Sequence, residues 1–461
     1  MSNSDKAISR FLRRNGLDPD TMDLGACCSA FLEEMNRGLE GRRSSLPMIP
    51  TYIETARDVS RGQRVIALDA GGTNMRVAVV SFDQSGKHVI EDLTRHRMPG
   101  VDAAIDREEF FRALAEVILP VARKTDRIGF CFSYPAEIMP DKDGKLIQFT
   151  KEIKARGVDG QMIGANLGRA LAAAGVQGPV RIILLNDTVA TLLAGRNAQP
   201  DRRFDDFIGL VCGTGLNAAY VERNARIRKT SGLDPAGSQI VNTESGSFDR
   251  GARGRVDDGF DATMANPGKY RHEKTISGAY LGALCLFAAR RAARDGCMSG
   301  AMARELEKVP SLSTRELNDF LLFPDSPLNP FGALSARTTD NRAAGGLAGS
   351  ASTAGGAGSS GSPAADARAL YRLCDTVVER AAAMVAVNLS AVLLKTGNGR
   401  DPRYPVCITV DGTTFWQLRG FRCRVESHMR AILADRNRRA WEIASVDDAP
   451  LLGAAIAALT N

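Results

Sequence analysis

One short pattern constrains the fold of this chain more than any other: an apolar run followed by a turn rich in glycine and threonine. It occurs three times, with the turns at residues 69–74, 212–217 and 411–414. A second apolar run follows each of the first two turns, at residues 75–80 and 218–222. An apolar run, a glycine turn and another apolar run predict a β-hairpin rather than a strand–helix unit. The sequence therefore predicts two similar hairpins, one in each half of the chain.

The chemistry of these turns favours phosphate binding. Glycine lets backbone N–H groups approach a polyphosphate, and threonine adds a hydroxyl donor. One such turn is more often an ordinary hairpin, because many hairpins need glycine for their backbone conformation alone. Three turns, each with threonine and two of them beginning with aspartate, are harder to explain as hairpins only. The chain has no G-x-x-x-x-G-K-[ST] sequence, so it is not a P-loop protein.

A further motif places Asp187 just after a buried apolar strand that is predicted at residues 182–185. Open α/β sheets bind ligands at the carboxyl ends of their strands, so this position suits a catalytic carboxylate. Residues 188–195 are predicted to begin a helix, which also makes Asp187 a candidate N-cap. Taken alone, capping is the simpler role, and it does not exclude catalysis.

Two glutamates, Glu244 and Glu273, lie in polar loops. A sugar offers a ring of hydroxyls that donate and accept hydrogen bonds, and carboxylates and Asn amides bind such groups in pairs. Asn186, Asp187, Asn217 and the two glutamates therefore have the chemistry of a sugar site, provided that the fold brings them together. Taken singly, such glutamates are more often solvated surface residues.

Composition limits the function classes. The chain has 461 residues, 44% hydrophobic and 25% charged, which fits a soluble globular protein of two or three domains. Its net charge is +7, but the basic residues are scattered rather than gathered into the stripe of a nucleic-acid binder. Its nine cysteines form no C-x-x-C pair, which predicts free thiols in a reducing cytoplasm. No stretch approaches the ~18 apolar residues of a membrane span.

The second half of the chain contains a segment of unusual composition. Residues 343–365 are almost all Ala, Gly, Ser and Thr, which predicts a disordered surface insertion. A long helix is predicted over residues 369–394 and a C-terminal helix over residues 451–459. A further helix is predicted near the N-terminus, over residues 24–41, where apolar residues recur at helical spacing.

Several segments together resemble the eukaryotic-type hexokinase family of the actin-like ATPase superfamily. The resemblance runs from about residue 24 to the C-terminus, apart from the insertion. The segments are LPMIPT (46–51), LDAGGTNMRV (68–77), FCFSYP (130–135), TK (150–151), NDTV (186–189), VCGTGLNAAYVE (211–222) and NPGKYRHEKTISGAYLG (266–282). They are similar to sugar, phosphate and catalytic motifs of that family.

The resemblance implies an α/β fold of the two-lobed actin-like ATPase (ribonuclease H-like) class, with a small and a large domain around a sugar cleft. Residues 1–64 would form a helical segment that packs on the large domain. The small domain would span residues 65–205, and the large domain would span residues 206–447 and carry the insertion. Residues 448–461 would form a C-terminal helix that returns to the small domain.

The resemblance also implies roles for individual residues. Asp187 would be the catalytic base, with Lys151 near the transferring phosphoryl group. The sugar contacts would be Ser133, Thr150, Lys151, Asn186, Asp187, Asn217, Glu244 and Glu273. The nucleotide and its Mg²⁺ would be surrounded by Asp69, Gly71, Gly72, Thr73, Asn74, Arg76, Gly213, Thr214, Gly215, Gly412 and Thr413. Asp69 would hold the Mg²⁺ through water.

The implied function is that of a hexokinase, which transfers the γ-phosphate of ATP to the 6-hydroxyl of a hexose in the first step of glycolysis. Glucose is the favoured hexose, with mannose and fructose as alternatives. We expect a monomer or a dimer that binds neither nucleic acid nor membranes.

Three alternatives stay open. Segment 448–455 departs from the family's glycine-rich nucleotide loop, as it would in a sugar-binding regulator that has lost catalysis. A polymerising actin-like ATPase would leave the sugar segments unexplained. A bacterial-type glucokinase or sugar repressor often carries a Cys/His zinc cluster or a DNA-binding helix pair, and the sequence shows neither.

Overall fold

The computed structural model describes residues 3–55, 57–149, 153–199, 202–334, 362–434 and 437–461. The main helices are Asn3–Arg14 (α1), Leu24–Leu39 (α2), Arg107–Ile118 (α3), Ile163–Ala173 (α4), Asp187–Ala198 (α5), Arg255–Ala262 (α6), Leu281–Arg294 (α7), Gly300–Lys308 (α8), Thr314–Leu322 (α9), Pro363–Thr396 (α10), Thr413–Gln417 (α11), Phe421–Ile432 (α12) and Ala449–Thr460 (α13). The strands are Ile49–Pro50 (β1), Arg64–Ala70 (β2), Asn74–Phe82 (β3), His88–Arg97 (β4), Arg127–Phe132 (β5), Ala136–Ile138 (β6), Gly144–Leu146 (β7), Arg181–Leu185 (β8), Asp206–Cys212 (β9), Leu216–Arg223 (β10), Ser238–Asn242 (β11), Val406–Asp411 (β12) and Trp441–Ala444 (β13).

Two mixed sheets form the frame of the molecule. The five-stranded sheet has the order β4-β3-β2-β5-β8, and the six-stranded sheet has the order β1-β11-β10-β9-β12-β13. In each sheet one strand of an antiparallel hairpin, β2–β3 or β9–β10, also pairs with a parallel strand on its other side. The two predicted hairpins are therefore confirmed. Each glycine turn lies at the edge of its sheet where the parallel strands also end.

Helices α5 and α13 pack against each other between the sheets. Helix α5 lies on β9 and β12, and α13 lies on β2 and β5. Their side chains share one buried cluster with residues of both sheets, among them Ala67 of β2 and Ala219 of β10. Residues 188–195 of α5 are all buried, as expected of a helix that is enclosed on every side. The N-terminal helices α1 and α2 pack instead into the core beside the six-stranded sheet.

Two glycines let α5 lie directly against neighbouring backbone. A Cβ atom on Gly209 of β9 would lie 2.2 Å from the carbonyl oxygen of Thr188. A Cβ atom on Gly453 of α13 would lie 2.0 Å from the carbonyl oxygen of Ala190. Such distances leave no room for any side chain, because protein interiors are packed at van der Waals contact. Helix α5 is therefore fixed by backbone contact with β9 on one side and α13 on the other.

The long helix α10 is the centre of the larger core and packs against α2, α7 and α12. Its most apolar 18-residue window has a mean hydropathy of 1.7, which is enough to cross a membrane by length and composition. The expectation that no stretch approaches that length is therefore wrong as a statement of composition. In the described structure 89% of the window is buried, which is the pattern of a core helix.

The insertion ends earlier than the composition predicts. Residues 363–365 form the first turn of α10. The side chain of Ser362 accepts a hydrogen bond from the backbone N–H of Ala365, and Pro363 begins the helix, where its missing N–H is not needed. The remainder of the predicted insertion, residues 343–361, lies outside the described residues.

Candidate active site

A cleft of about 720 Å³ opens where the strand ends of the two sheets face each other. Strands β2, β5 and β8 end on one side of it, and β9 and β12 end on the other. The parallel pairing explains why residues far apart in the sequence meet here. The predicted site residues that line the cleft are Asp69, Gly71, Arg76, Ser133, Asn186, Asp187, Gly213, Thr214, Gly215, Asn217, Glu244, Glu273, Gly412 and Thr413.

One wall of the cleft is a cluster of hydrogen-bonded amides around Glu244. The Nδ2 atom of Asn217 donates to Asn242 Oδ1 (2.7 Å) and to Glu244 Oε1 (3.2 Å). The Nδ2 atom of Asn242 donates to the same glutamate oxygen at 2.8 Å. Glu244 itself has a φ of 54°, in the left-handed region. A non-glycine residue held there costs about 1–3 kcal/mol, and such strain is concentrated at ligand sites.

Glu273 reaches the same wall from a separate turn. Its Oε2 atom accepts a hydrogen bond from the backbone N–H of Leu216 at 2.9 Å, which ties it to the β9–β10 turn. The next residue, Lys274, is buried. Its Nζ atom donates to Asp261 Oδ1 (2.5 Å) and to the carbonyl oxygen of Asn266 (2.8 Å). The turn that carries Glu273 is therefore anchored on its inner side.

Burial and neighbouring charges in this wall shift the pKa of one carboxylate, that of Glu244. The pKa of Glu244 is raised to about 7, chiefly by burial and in smaller part by the negative charges of Asp187 and Glu273. The hydrogen bonds from Asn242 and Asn217 lower the pKa in part. Glu244 is therefore partly protonated near neutral pH, and its charge responds to any ligand that donates hydrogen bonds to it.

Asp187 occupies a different helix position from the one that the sequence favours. The N-cap of α5 is Asn186, whose Oδ1 accepts hydrogen bonds from the backbone N–H (3.0 Å) and the hydroxyl (2.7 Å) of Thr188. Asn186 has the extended backbone that an N-cap requires, so its side chain can accept the hydrogen bond of the free N–H of Thr188. The N-cap prediction for Asp187 is therefore wrong by one residue. Asp187 begins the helix, where the positive end of the helix dipole stabilises a carboxylate.

The glycine turns also border the cleft, the first on the side of β2 and the second and third on the side of β9 and β12. The carbonyl oxygen of Gly213 accepts hydrogen bonds from the backbone N–H of Gly278 (2.7 Å) and the hydroxyl of Thr414 (2.9 Å), which joins the second turn to the third. The third turn leads into the short helix α11 instead of a second strand. The first turn is held by Tyr134, whose hydroxyl donates to the carbonyl oxygen of Gly71 at 2.7 Å.

An ion network links the first turn to the C-terminal helix. Arg76 donates to Asp69 Oδ2 through Nε (2.9 Å) and Nη2 (2.7 Å), and its Nη1 contacts Asp448 Oδ1. Burial alone would lower the pKa of Arg76, but the two carboxylates raise it. Asp448 directly precedes α13, yet its side chain makes no cap hydrogen bond with that helix. Its carboxylate is directed to Arg76 instead.

Asp411 adds a second carboxylate beside Asp69. It ends β12 and lines the cleft. Burial raises its pKa, the negative charge of Asp69 raises it further, and Arg76 lowers it in part. This part of the cleft therefore carries negative charge that the protein does not fully neutralise.

A cleft that holds both a carboxylate–amide wall and glycine turns agrees with the comparisons of this sequence with known proteins. Two family models, both described as hexokinase, match residues 8–197 and residues 207–460. The chain belongs to the hexokinase family. It is accordingly an ATP-dependent sugar kinase that phosphorylates a hexose.

Relatives of this hexokinase occur in plants and fungi. It is 28% identical to Hexokinase-5 from Oryza sativa subsp. japonica, over 97% of this chain and 88% of the relative. It is 33% identical to Hexokinase-1 from Schizosaccharomyces pombe, over 55% of this chain and 54% of the relative. A solved hexokinase from Schistosoma mansoni, complexed with glucose, has a TM-score of 0.76 at 23% identity, covering 99% of this chain and 100% of that one. The predicted two-lobed α/β fold class is thereby confirmed.

Some predicted site residues of the hexokinase do not line the cleft. Gly72, Thr73 and Asn74 are absent from its lining, and Thr73 and Asn74 are exposed at the tip of the first hairpin. These three lie on the outer part of a turn whose inner part, at Gly71, does face the cleft. Thr150 and Lys151 lie outside the described residues, so their predicted roles stay predictions.

The structure adds residues that sequence reasoning missed. Asn242 is the clearest case, because it orients both Asn217 and Glu244. Its signal was its place two residues before Glu244, on the strand that pairs with β10. Asp411 shared with Asp69 the pattern of an aspartate before a glycine turn. Further lining residues without such a signal are Tyr134, Pro135, Gln148, Phe149, Asn266, Tyr270 and Pro450.

Proposed function

We propose that this hexokinase transfers the γ-phosphate of ATP to the 6-hydroxyl of its hexose, with glucose as the preferred acceptor, in the first step of glycolysis. The observation that carries the proposal is that one cleft holds both the carboxylate–amide wall and the glycine turns, with Asp187 also in its lining. A kinase needs an acceptor pocket and a phosphate pocket that share one carboxylate.

The hexose would bind to the wall around Glu244. Its hydroxyls would donate to the oxygens of Glu244 and Glu273 and exchange hydrogen bonds with the amides of Asn217 and Asn186. These side chains are already oriented by their mutual hydrogen bonds, so little freedom is lost when the sugar binds. A solved relative from Schistosoma mansoni holds glucose, which supports glucose as the acceptor here.

Asp187 would act as the general base. It would accept the proton of the 6-hydroxyl as that oxygen forms its bond to the γ-phosphorus, while the bond from phosphorus to the bridging oxygen of ADP breaks. A positioned base contributes about 10²–10⁴-fold to such a step. Holding the acceptor in line with the phosphate contributes ~7–11 kcal/mol. Positioning is therefore the larger effect, and it depends on the rigid seat of α5.

The residues at the phosphate end fit ATP and Mg²⁺. Backbone N–H groups of the glycine turns, with the hydroxyls of Thr214 and Thr413, are donors suited to polyphosphate. Asp69 and Asp411 would supply the one or two carboxylates that Mg²⁺ typically binds, directly or through water. Burial, the largest cause, and the negative charge of Asp69 both raise the pKa of Asp411, so a bound cation would favour its ionised form. When bound, Mg²⁺ would neutralise charge on the β- and γ-phosphates.

Water competes with the hexose for the phosphoryl group, so the cleft must exclude it during transfer. We expect the two sheets to approach each other when hexose binds, which completes the site only around the correct acceptor. Small-angle scattering with and without saturating hexose measures this directly.

The test of the proposal is the turnover of Asp187→Asn with glucose and ATP in a coupled assay for ADP. We expect kcat to fall at least about 100-fold while glucose affinity stays within a few-fold, because only the base is lost. Asp295→Asn, at the exposed end of α7, is the matched control and should keep its activity. Wild-type kcat in Asp187→Asn would remove the base assignment. A panel of glucose, fructose, mannose and glucosamine then establishes the acceptor.

If the protein were instead a sugar-binding regulator that has lost catalysis, the wild type would bind glucose without releasing ADP. This hypothesis is favoured by the C-terminal segment, in which Asp448 and Pro450 stand beside the nucleotide end of the cleft. Tight glucose binding without ADP release would support it. Glucose-dependent ADP release excludes it.

A further inference from the structure

A second cavity, of about 810 Å³, lies between the two sheets at the opposite end of α5 from Asp187. We call it the junction cavity. One side is lined by residues 58, 59, 61, 82 and 86, near the smaller sheet, and another by residues 196, 197, 199, 202–205 and 207. Tyr404, just before β12, completes the lining. The cavity is therefore walled by segments from both halves of the molecule.

The described lining of the junction cavity is positively charged. Among the residues that the structure describes, it contains Arg61, Arg196, Arg202 and Arg203, against Asp58 and Asp205. Arg202 pairs with Glu442, outside the lining. Within the described residues, no carboxylate forms an ion pair with any of the other three arginines. The catalytic cleft uses none of these side chains.

Two of the guanidinium groups are held in place by carbonyl oxygens instead of carboxylates. The Nη1 atom of Arg61 donates to the carbonyl oxygens of Asp83 (3.2 Å) and Gln84 (3.0 Å). The Nη1 atom of Arg196 donates to the carbonyl oxygen of Arg57 at 3.2 Å. A carbonyl oxygen orients a guanidinium but leaves its full charge, so both groups remain available to an anion.

Partial burial distinguishes Arg196 from the exposed Arg61 and Arg203. It is half-buried at the end of α5, and burial lowers its pKa, which the charge of Asp58 raises only in part. A partly desolvated cation without a matching carboxylate is a cost to the ligand-free protein. A bound anion would remove that cost, because charge-assisted hydrogen bonds are strongest away from water.

We propose that the junction cavity binds a polyphosphate-bearing anion, held by Arg61, Arg196 and Arg203. A guanidinium matches the geometry of phosphate oxygens, and three of them around one cavity match a ligand with more than one phosphate. With a volume of about 810 Å³, the cavity accommodates a group attached to the phosphates. The exposed ring of Tyr404, over which the guanidinium of Arg403 lies, adds an aromatic surface to the lining for such a group.

The site has a direct structural connection to catalysis. Arg196 and Asp187 are both residues of α5, nine positions apart on one rigid helix. An anion in the cavity would bridge α5 to Arg61. The guanidinium of Arg61 is held by carbonyl oxygens of the loop between β3 and β4. Binding would therefore resist relative movement of the two halves of the molecule. This site does not depend on which hexose the enzyme accepts.

The test is binding of pyrophosphate by isothermal titration calorimetry, in EDTA and with KCl to hold the ionic strength constant. We expect the double variant Arg61→Gln/Arg196→Met to lose affinity at least about tenfold, because two charge-assisted contacts are removed. The methionine keeps the stem of Arg196, so packing at the end of α5 is retained. Arg203→Gln, at an exposed position, should lose affinity by a smaller factor.

Arg123→Gln is the matched control, since it removes an exposed arginine that lies outside the cavity lining. It should bind pyrophosphate as the wild type does. All variants should keep the wild-type affinity for hexose and the wild-type kcat, which separates this proposal from the function of the cleft. Equal pyrophosphate affinity in the wild type and the double variant would place the anion elsewhere, and absence of binding to the wild type would overturn the proposal.

Discussion

The substitution Glu244→Gln tests the electrostatics of the sugar wall most directly. Glutamine has the shape of the glutamate and still accepts the hydrogen bonds of Asn242 and Asn217 at Oε1. It removes only the charge that lies near Asp187 and Glu273. Any change in the variant therefore reports the ionisation of Glu244 rather than its packing.

The expected magnitude follows from the raised pKa. The pKa of Glu244 rises from 4.5 to about 7. At ~1.36 kcal/mol per unit, ionising it in the ligand-free pocket costs about 3 kcal/mol more than in the unfolded chain. Because the folded pKa is the higher one, the stabilising contribution is complete below pH 4.5 and is lost as the pH rises to about 7. The Glu244→Gln variant has no ionisable group at this position, so its stability does not decrease with pH in this way.

Hexose binding should release protons from the same group. At pH 7 about half of the ligand-free molecules carry a proton on Glu244, and hexose hydroxyls that donate to the carboxylate favour its ionised form. We expect about half a proton released per hexose at pH 7 and about a tenth at pH 8. Calorimetry in buffers of different ionisation enthalpy measures the number released.

The comparison needs two curves and one control. The free energy of unfolding in urea of the wild type should fall between pH 5 and pH 8 by about 2–3 kcal/mol relative to that of Glu244→Gln. Glu116→Gln, an exposed carboxylate on α3, should follow the wild type. Parallel curves for the wild type and Glu244→Gln, together with no proton release at pH 7, would refute the account of this pocket.

Three further predictions concern the nucleotide end and the movement of the lobes. In Asp448→Asn, Arg76 loses one of the two carboxylates with which it forms ion pairs in the described structure and keeps Asp69, so Mg²⁺ must compete with Arg76 for Asp69 more strongly. The KM for MgATP and the Mg²⁺ concentration for half-maximal binding should both rise about fivefold, with hexose affinity unchanged. Tyr134→Phe removes the hydroxyl that holds Gly71. It should raise the KM for ATP about fivefold, since one such hydrogen bond contributes about 1 kcal/mol. An unchanged ATP affinity would contradict the role of that contact. Saturating glucose should reduce the radius of gyration in small-angle scattering, and an identical profile with and without sugar would end the induced-fit proposal.

Strongly patterned segments of the sequence predict their structure well. The two hairpins follow from continuous apolar runs on both sides of a glycine turn, and these runs match β2–β3 and β9–β10 within two residues. The sequence also predicts the long helix and the C-terminal helix, although the long helix begins six residues earlier than its apolar pattern does. That turn is made by capping at Ser362 and by Pro363, and local capping has no periodicity to detect.

The site could be predicted only where residue type and position coincide. Asp187 and Glu244 are carboxylates in suggestive places, and both line the cleft. Asn242 and Tyr270 are not recognisable in this way, because their contribution arises from sheet pairing and loop packing that join distant segments. The shift of the N-cap from Asp187 to Asn186 shows the same limit, since neighbouring side chains compete for one backbone N–H.

The backbone seat of α5, made by Gly209 and Gly453, has a mechanical consequence. Main-chain contact on both sides restricts sliding and rolling of α5, so we expect it to lie close to the axis of any movement of the lobes. The lobes would swing about an axis near α5 during each catalytic cycle, and Asp187, close to that axis, would travel least. Attempts to speed up product departure by engineering should accordingly spare these two glycines and target the loops farthest from that axis.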